Sequence, residues 1–383
     1  MPKNSAKRRH PRWTRWCIGV GLVLIVVSGG SVVATRVAVA TATHTVVQQN
    51  LLGTSRSTTE RKHADIRGAK NILLVGLDTR KSNPSMLSRS DSIMILHIPA
   101  GHDRAYLVSL PRDSYVEIPA YDNGKVPYRG GHNKINAAFA YGSRGLTGES
   151  ALSHGFELLA LTIKQLTGIT PNAGAIIDFE GFRKVVDVLG KVCMYVDEDT
   201  TSIHIGHTAD GKQAVPYVTH SDGTIAYKVR GVTPNFYAKG DHCFTPVEAL
   251  DFARQRDLLA DKDYDYGRQR HQQQLLKAIL KQAVHDGLNS PAKLPGLLSA
   301  VGKTMTVDNG GVSLEDWAFA MRNINPDDLV TIKTNDGKLN SKSVPGVGSA
   351  EILSDTSMEL LKATKDDELP TFLAKHQDWI AQS

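Results

Sequence analysis

Short apolar runs separated by polar joints make up most of this chain, and only one apolar stretch is long. From Trp16 to Thr35 the sequence reads WCIGVGLVLIVVSGGSVVAT without a charge. About twenty residues rising about 1.5 Å each reach roughly 30 Å, the thickness of a bilayer's hydrocarbon. The pattern predicts a transmembrane anchor over 16–40, followed by a polar stalk or helical linker over 41–68. Beyond it, NILLVGL (71–77), SIMILHI (92–98), AYLVSL (105–110), AGAIIDF (173–179) and KVCMYV (191–196) are brief Ile-, Leu- and Val-rich runs bounded by turn residues, as buried strands are. Helical spacing appears from Glu149 to Leu166, with Leu152, Phe156, Leu159 and Ile163 on one face, and again in FEGFRKVVDVLG. Thr245-Pro246-Val247-Glu248 has the form of a capping box with proline at the first helical position. A long helix is expected to start near Tyr266 or Gly267 and to run through Leu275, Leu276, Ile279, Leu280 and Val284. Residues 200–242 are rich in Gly, Thr and His with weak periodicity, and read as a long excursion. The resulting expectation is an α/β fold: one ectodomain over 69–383 with a central mixed β-sheet flanked by helices, preceded by one transmembrane helix.

Charge refines the topology. The chain has 383 residues and a formal net charge of +6. Lys3, Lys7, Arg8, Arg9, Arg12 and Arg15 crowd the first sixteen residues with no acid among them, so the remainder is near neutral. Bases before an apolar span keep the N-terminus cytoplasmic and place the rest outside. That makes 1–15 a cytoplasmic basic tail and a topology signal, and such a tail is too short to fold into a nucleic-acid-binding face. The alternative is a cleaved signal peptide, since Ala38-Val39-Ala40 resembles a cleavage site. The length of the apolar run and Arg36 before that site favour a retained anchor. Cys17 falls in the span, leaving Cys193 and Cys243 as the pair in the exported part, where a disulfide is favoured over two buried thiols.

Familiar catalytic motifs are missing: there is no GxSxG elbow, P-loop, HExxH or Rossmann fingerprint. Instead, Arg recurs beside Asp at the ends of the expected strands. GLDTR supplies Asp78 and Arg80, SRSDS supplies Arg89 and Asp91, and LPRDS supplies Arg112 and Asp113. FARQRD adds Arg254 and Arg256, and DYDYGRQRHQQQ adds Asp265, Arg268, Gln269, Arg270 and His271. A single surface Arg–Asp pair is worth only about 0–1 kcal/mol and signals nothing. Clustered at strand ends, where α/β sheets bind ligands, these pairs mean more. Asp78 and Asp91 suit a hard divalent ion, Mg²⁺ or Mn²⁺, and the arginines suit a pyrophosphate.

These segments, together with VSLPRDSYVEIP, KINAAFAYG, IDFEGFRKVVDVLGKV and ALDFARQRD, resemble in order the motifs of the LytR–CpsA–Psr family, densely over 70–285 and loosely to the end. The resemblance implies an Mg-dependent phosphotransferase of the cell envelope. Such an enzyme moves a glycopolymer phosphate from a polyprenyl-pyrophosphate carrier to a peptidoglycan hydroxyl and releases polyprenyl phosphate. Its partners would be the lipid-linked glycan donor and peptidoglycan, with no nucleic acid, and it would sit in the cell membrane with its catalytic domain outside. By position, the resemblance makes Asp78 and Asp91 metal ligands, and Arg89, Arg112, Arg254, Arg256, Asp265 and Arg268 catalytic residues. Arg80, Lys134, Asn136, Gln269 and His271 would touch substrate. The family pattern most often has Arg where this chain has His271, which leaves that contact pH-dependent or lost, because His is largely neutral above about pH 6.5. The alternatives are hydrolysis of the same pyrophosphate, a non-catalytic envelope regulator, and a wall-binding module. A long excursion with a cysteine pair is similar to actinobacterial members, which implies arabinogalactan or a related polymer, with teichoic acid and capsule left open.

Overall fold

The computed structural model describes residues 46–55, 66–77, 89–220, 224–289 and 305–381. The expected tail and anchor, as well as Asp78 and Arg80, lie outside the described residues. No helix among the described residues is long and apolar enough to cross a membrane.

Nine strands carry the account: β1 (Val47–Gln48), β2 (Lys70–Leu77), β3 (Ser90–Ile98), β4 (Ala105–Leu110), β5 (Ala173–Asp178), β6 (Val192–Val196), β7 (Gly240–Phe244), β8 (Met305–Asp308) and β9 (Leu329–Ile332). Five helices matter most: α1 (Asn136–Gly142), α2 (Gly148–Thr167), α3 (Phe179–Leu189), α4 (Pro246–Phe252) and α5 (Asp265–Asn289). The central sheet has the order β1-β8-β5-β2-β3-β4-β9. It is mixed: β2–β3, β3–β4 and β5–β8 run antiparallel, whereas β2–β5, β4–β9 and β1–β8 run parallel.

Both faces of this sheet are covered, which is why its strands are nearly continuous apolar runs. Leu73, Val75 and Leu77 join Ile93, Ile95, Val108 and Leu110 under Phe139 of α1 and Phe156 of α2. The alternate residues Leu74, Met94, Leu96 and Leu107 face the other way and meet Leu276 of α5. Gln273 fixes the crossing of α5 over that face, because its amide donates to Ser109 Oγ at 2.7 Å and to the carbonyls of Leu107 and Ile332. The capping box at the start of α4 forms as expected: Glu248 Oε2 accepts from the Thr245 amide at 2.9 Å, and Thr245 Oγ1 accepts from the Glu248 amide at 3.4 Å.

One boundary needs correction. The expected linker over 41–68 is partly folded into the domain, since β1 pairs with β8 and Leu51 and Leu52 are fully buried. Their amides donate to Asp308 Oδ2 at 2.8 and 2.9 Å, and the Thr54 amide donates to Glu157 Oε1 at 2.6 Å. Polar composition concealed this because Asp308 and Glu157, more than a hundred residues away, satisfy the polar backbone.

The excursion over 200–242 is a set of short antiparallel strands, closed at its base by the Cys193–Cys243 disulfide. The two cysteines face each other directly across the β6–β7 pair. Closing a loop of about 50 residues stabilises a fold by roughly 4 kcal/mol in the chain-entropy model. Cys193→Ser with Cys243→Ser should therefore lower the denaturant midpoint substantially, and chemical denaturation of the oxidised and double-variant proteins measures it.

Candidate functional site

The strand directions bring several termini to one rim. Leu77 pairs with Ser90 and with Asp178, and Ile93 pairs with Leu110. Asp91, at the start of β3, therefore meets Arg112, just past β4, and Arg112 Nη1 donates to Asp91 Oδ1 at 2.6 Å. The first turn of α5 completes the group. Asp265 Oδ1 lies 2.5 Å from Arg268 Nη2 and 3.6 Å from Arg112 Nε, so one carboxylate stands between two guanidiniums. Arg268 Nη2 also donates to the backbone carbonyl of Asp91 at 3.2 Å. Gln269 Nε2 donates to Asp265 Oδ2 at 3.2 Å, and Lys134 Nζ reaches Asp113 Oδ1 at 3.2 Å.

Electrostatically the cluster is unbalanced. Burial works against a charge on Arg112, but Asp91, Asp265 and Asp113 outweigh it and raise its pKa. For Arg268, burial prevails and lowers the pKa; Arg112 and Arg256 push the same way, against Asp265 and Asp91. A guanidinium nevertheless keeps its proton in a protein. Arg268 is thus a cation whose charge burial disfavours. In addition, Nε of Arg112 and Nε of Arg268 are buried donors with no hydrogen-bond acceptor. Each such group costs about 1–3 kcal/mol until something accepts from it. An anion at the rim would accept from both donors, and the N-terminal end of α5 favours one there.

The other expected residues divide. Asn136 is buried beside the cluster, and its amide nitrogen donates to the Arg112 carbonyl at 3.1 Å. Arg89 is exposed immediately before β3. Arg256 pairs with Asp257 at 3.2 Å and is close enough to Arg268 to disfavour its charge. Arg254, half-buried after α4, acts on Asp251 and lowers its pKa against the stronger effect of burial.

His271 is a correction. It was expected to touch the anionic ligand, but it is fully buried, stacked on Phe252 with ring centroids 4.1 Å apart. Its neighbours are the carboxylates Glu198 and Asp197, just after β6, which leave no place for a phosphate. Arg270, counted among the clustered arginines but given no role by the family resemblance, is the hub of that second cluster, paired with Asp197, Glu198 and Asp263. Lys262 and Tyr264 adopt left-handed φ of 54° and 50° on either side of Asp263, a sparsely populated conformation for such residues. The acidic pairs VDED and DYD were the available signal in the sequence, but only the fold brings them together.

Gly267 is where these elements meet most closely. A Cβ there would come within 2.3 Å of Asp263 Oδ1 and of Leu259 Cδ1. Alanine gains about 1 kcal/mol of helix propensity over glycine, whereas overpacking typically costs about 1–3 kcal/mol. Because Arg270 holds Asp263 in place, Gly267→Ala should be net destabilising and lower the Tm, which calorimetry measures.

Residues 35–364 match the model of the LytR_cpsA_psr family. The chain belongs to this family. Regulatory protein MsrR of Staphylococcus aureus is 30% identical over 246 residues, 63% of this chain and 58% of that protein, so the match spans little more than half of MsrR. TagU of Oceanobacillus iheyensis, a polyisoprenyl-teichoic acid–peptidoglycan teichoic acid transferase, is 25% identical over 309 residues, 80% of this chain and 79% of that one. The solved structure of TagT bound to LIIa-WTA has the same fold, with a TM-score of 0.52 and 20% identity over 83% of this chain and 98% of that one. The expected mixed sheet with flanking helices is therefore the fold of LytR–CpsA–Psr proteins.

Proposed function

We propose that this LytR–CpsA–Psr protein transfers a glycopolymer phosphate from a polyprenyl-pyrophosphate carrier to a peptidoglycan hydroxyl. The observation that carries the reading is the pair of buried guanidinium donors on Arg112 and Arg268, gathered around Asp265 and lacking an acceptor. TagU, whose name records transfer of teichoic acid to peptidoglycan, and TagT, solved with LIIa-WTA, support a glycopolymer as the cargo.

In this mechanism the acceptor hydroxyl attacks the phosphorus nearest the sugar. The P–O bond to the lipid phosphate breaks, and polyprenyl phosphate leaves with the bonding electrons. Phosphoryl transfer asks mainly for positioning and charge neutralisation. Arg112 and Arg268 hold the non-bridging oxygens and the departing phosphate, with Arg256 and Arg89 adding positive charge nearby. Asp265 orients both guanidiniums and would take the hydroxyl proton. Lys134, Asn136 and Gln269 frame the rim. A hard divalent cation, Mg²⁺ or Mn²⁺, suits the carboxylate chemistry of Asp91, whose side chain Arg112 fixes at the rim. Asp91 and Asp78 would hold it, and it would neutralise pyrophosphate charge. The catalytic domain would work on the outer side of the membrane, held by the span at 16–40.

The deciding experiment supplies the full chain with a polyprenyl-pyrophosphate glycan, Mg²⁺ and a peptidoglycan oligomer. Equal amounts of glycan–peptidoglycan conjugate and polyprenyl phosphate are expected. Polyprenyl phosphate formed without conjugate would overturn the reading in favour of a pyrophosphatase.

A further inference from the structure

The second cluster, centred on Arg270 of α5 two residues from Arg268, carries an excess of negative charge. Asp197, Glu198 and Asp263 present side chains only 8%, 2% and 15% exposed, and Arg270 is the guanidinium they share. With His271 neutral, three carboxylates against one guanidinium leave two formal negative charges in a largely dry setting, where uncompensated charge is costly. Ion pairing within the nest does not remove them. Asp197 Oδ1 and Asp263 Oδ1 are buried and accept no hydrogen bond.

A second observation points to what is missing. His271 is completely buried, and neither ring nitrogen has a hydrogen-bond partner. Its Nε2 faces the same carboxylates, 3.4 Å from Glu198 Oε1 and 3.9 Å from Asp197 Oδ1, too distant or too poorly aligned to bond. Ligand atoms of Asp197, Glu198 and His271 all lie within 4.8 Å of one another. Ligands about 2.1 Å from a common tetrahedral ion lie roughly 3.4 Å apart, so side-chain closure by about 1 Å completes a site. We propose that Asp197, Glu198 and His271 bind a divalent cation, distinct from the one expected at Asp91.

Two carboxylates and an imidazole favour an ion that accepts nitrogen as well as oxygen, such as Mn²⁺ or Zn²⁺, over Mg²⁺, which takes oxygen ligands. One such ion also cancels the two surplus charges. The surroundings fit. Arg270 holds Asp197 and Glu198 from outside, and the Asp261 amide donates to Glu198 Oε2 at 2.9 Å, as partners beyond the ligands orient a metal centre. A cavity of about 960 Å³, lined in part by Asp197, Asp261 and Arg270, gives access from solvent. The ion would tie the end of β6 to α5 and to the loop before it, and so set the position from which Arg268 and Asp265 reach the rim.

The test uses the full chain in detergent, stripped with chelator and carrying Asp91→Ala to remove the first metal site. Titration with Mn²⁺ alone, followed by paramagnetic resonance, should show one ion bound per chain with coupling to a single imidazole nitrogen, and Zn²⁺ should displace it. His271→Gln should abolish the nitrogen coupling, and Glu198→Gln and Asp197→Asn should weaken binding about 10–100-fold. Far-ultraviolet dichroism confirms that each variant is folded, and Asp197→Asn, the most conservative change, keeps the test informative if another variant is not. No Mn²⁺ uptake by the Asp91→Ala protein, or uptake unchanged in folded Glu198→Gln and Asp197→Asn, would overturn the proposal. Because the readout is binding, the result stands whether or not the transferase reading survives.

Discussion

Arg268→Ala is expected to lower the turnover of glycan transfer about 1,000-fold, within the range seen when an arginine that stabilises a phosphoryl-transfer transition state is lost. The side chain is 8% exposed, pairs with Asp265, and carries a buried Nε–H that donates to no acceptor. In the proposed transfer its charge would meet an anion that gains negative charge as the lipid phosphate departs. Removing it also strips Asp265 of its nearest cation, 2.5 Å away. Breaking one side of a buried pair costs about 3–5 kcal/mol, so activity must be read beside the unfolding midpoint. Arg268→Lys separates the two effects. Lysine retains the charge and much of the fold's stability, but it cannot offer the planar fork, so it should leave turnover depressed. Full activity in a folded Arg268→Lys or Arg268→Ala protein would remove Arg268 from the reaction.

Asp91→Ala should abolish stimulation by Mg²⁺ together with most of the activity, by about 100-fold or more if charge stabilisation at the phosphate is lost. Asp91 has a second task, since it accepts from Arg112 Nη1 at 2.6 Å. Asp91→Asn divides the tasks: the amide oxygen can still accept from Arg112, while the loss of charge weakens a hard-cation site. The expected order of activity is wild type, then Asn, then Ala, with metal stimulation lost in both variants. Stimulation by Mg²⁺ that persists in Asp91→Ala would show that the ion sits elsewhere.

The fold was largely legible because its signals are local. The runs at 71–77, 92–98 and 105–110 became β2, β3 and β4 nearly residue for residue, since continuous branched apolar sequence has few alternatives to a strand covered on both faces. The capping box at Thr245 and the start of α5 followed from side-chain chemistry within one turn. The segment 46–55 was misread as linker because Asp308 and Glu157, which hold it, are distant in sequence.

The site was legible in composition but not in partnership. Arg112, Asp265, Arg268 and Gln269 were identified from the ordered motifs and do converge, because the antiparallel β3–β4 pair and the first turn of α5 bring them to one rim. Arg268 and His271 are only three positions apart on α5 and look equivalent in the sequence. Packing separates them: Arg268 reaches the β3–β4 rim, while His271 turns to Phe252 and Glu198.

The sequence by itself determined the strands, the long helix, the cysteine pair and the wealth of arginine near strand ends, all of which depend on neighbours in the chain. Tertiary structure alone decided which arginine faces which acid. It placed Asp265 between two guanidiniums whose Nε–H groups still lack an acceptor, and three carboxylates around one guanidinium with an unpartnered imidazole. Electrostatic balance depends on distances through space and on the exclusion of water, neither of which is encoded in any short stretch of the chain.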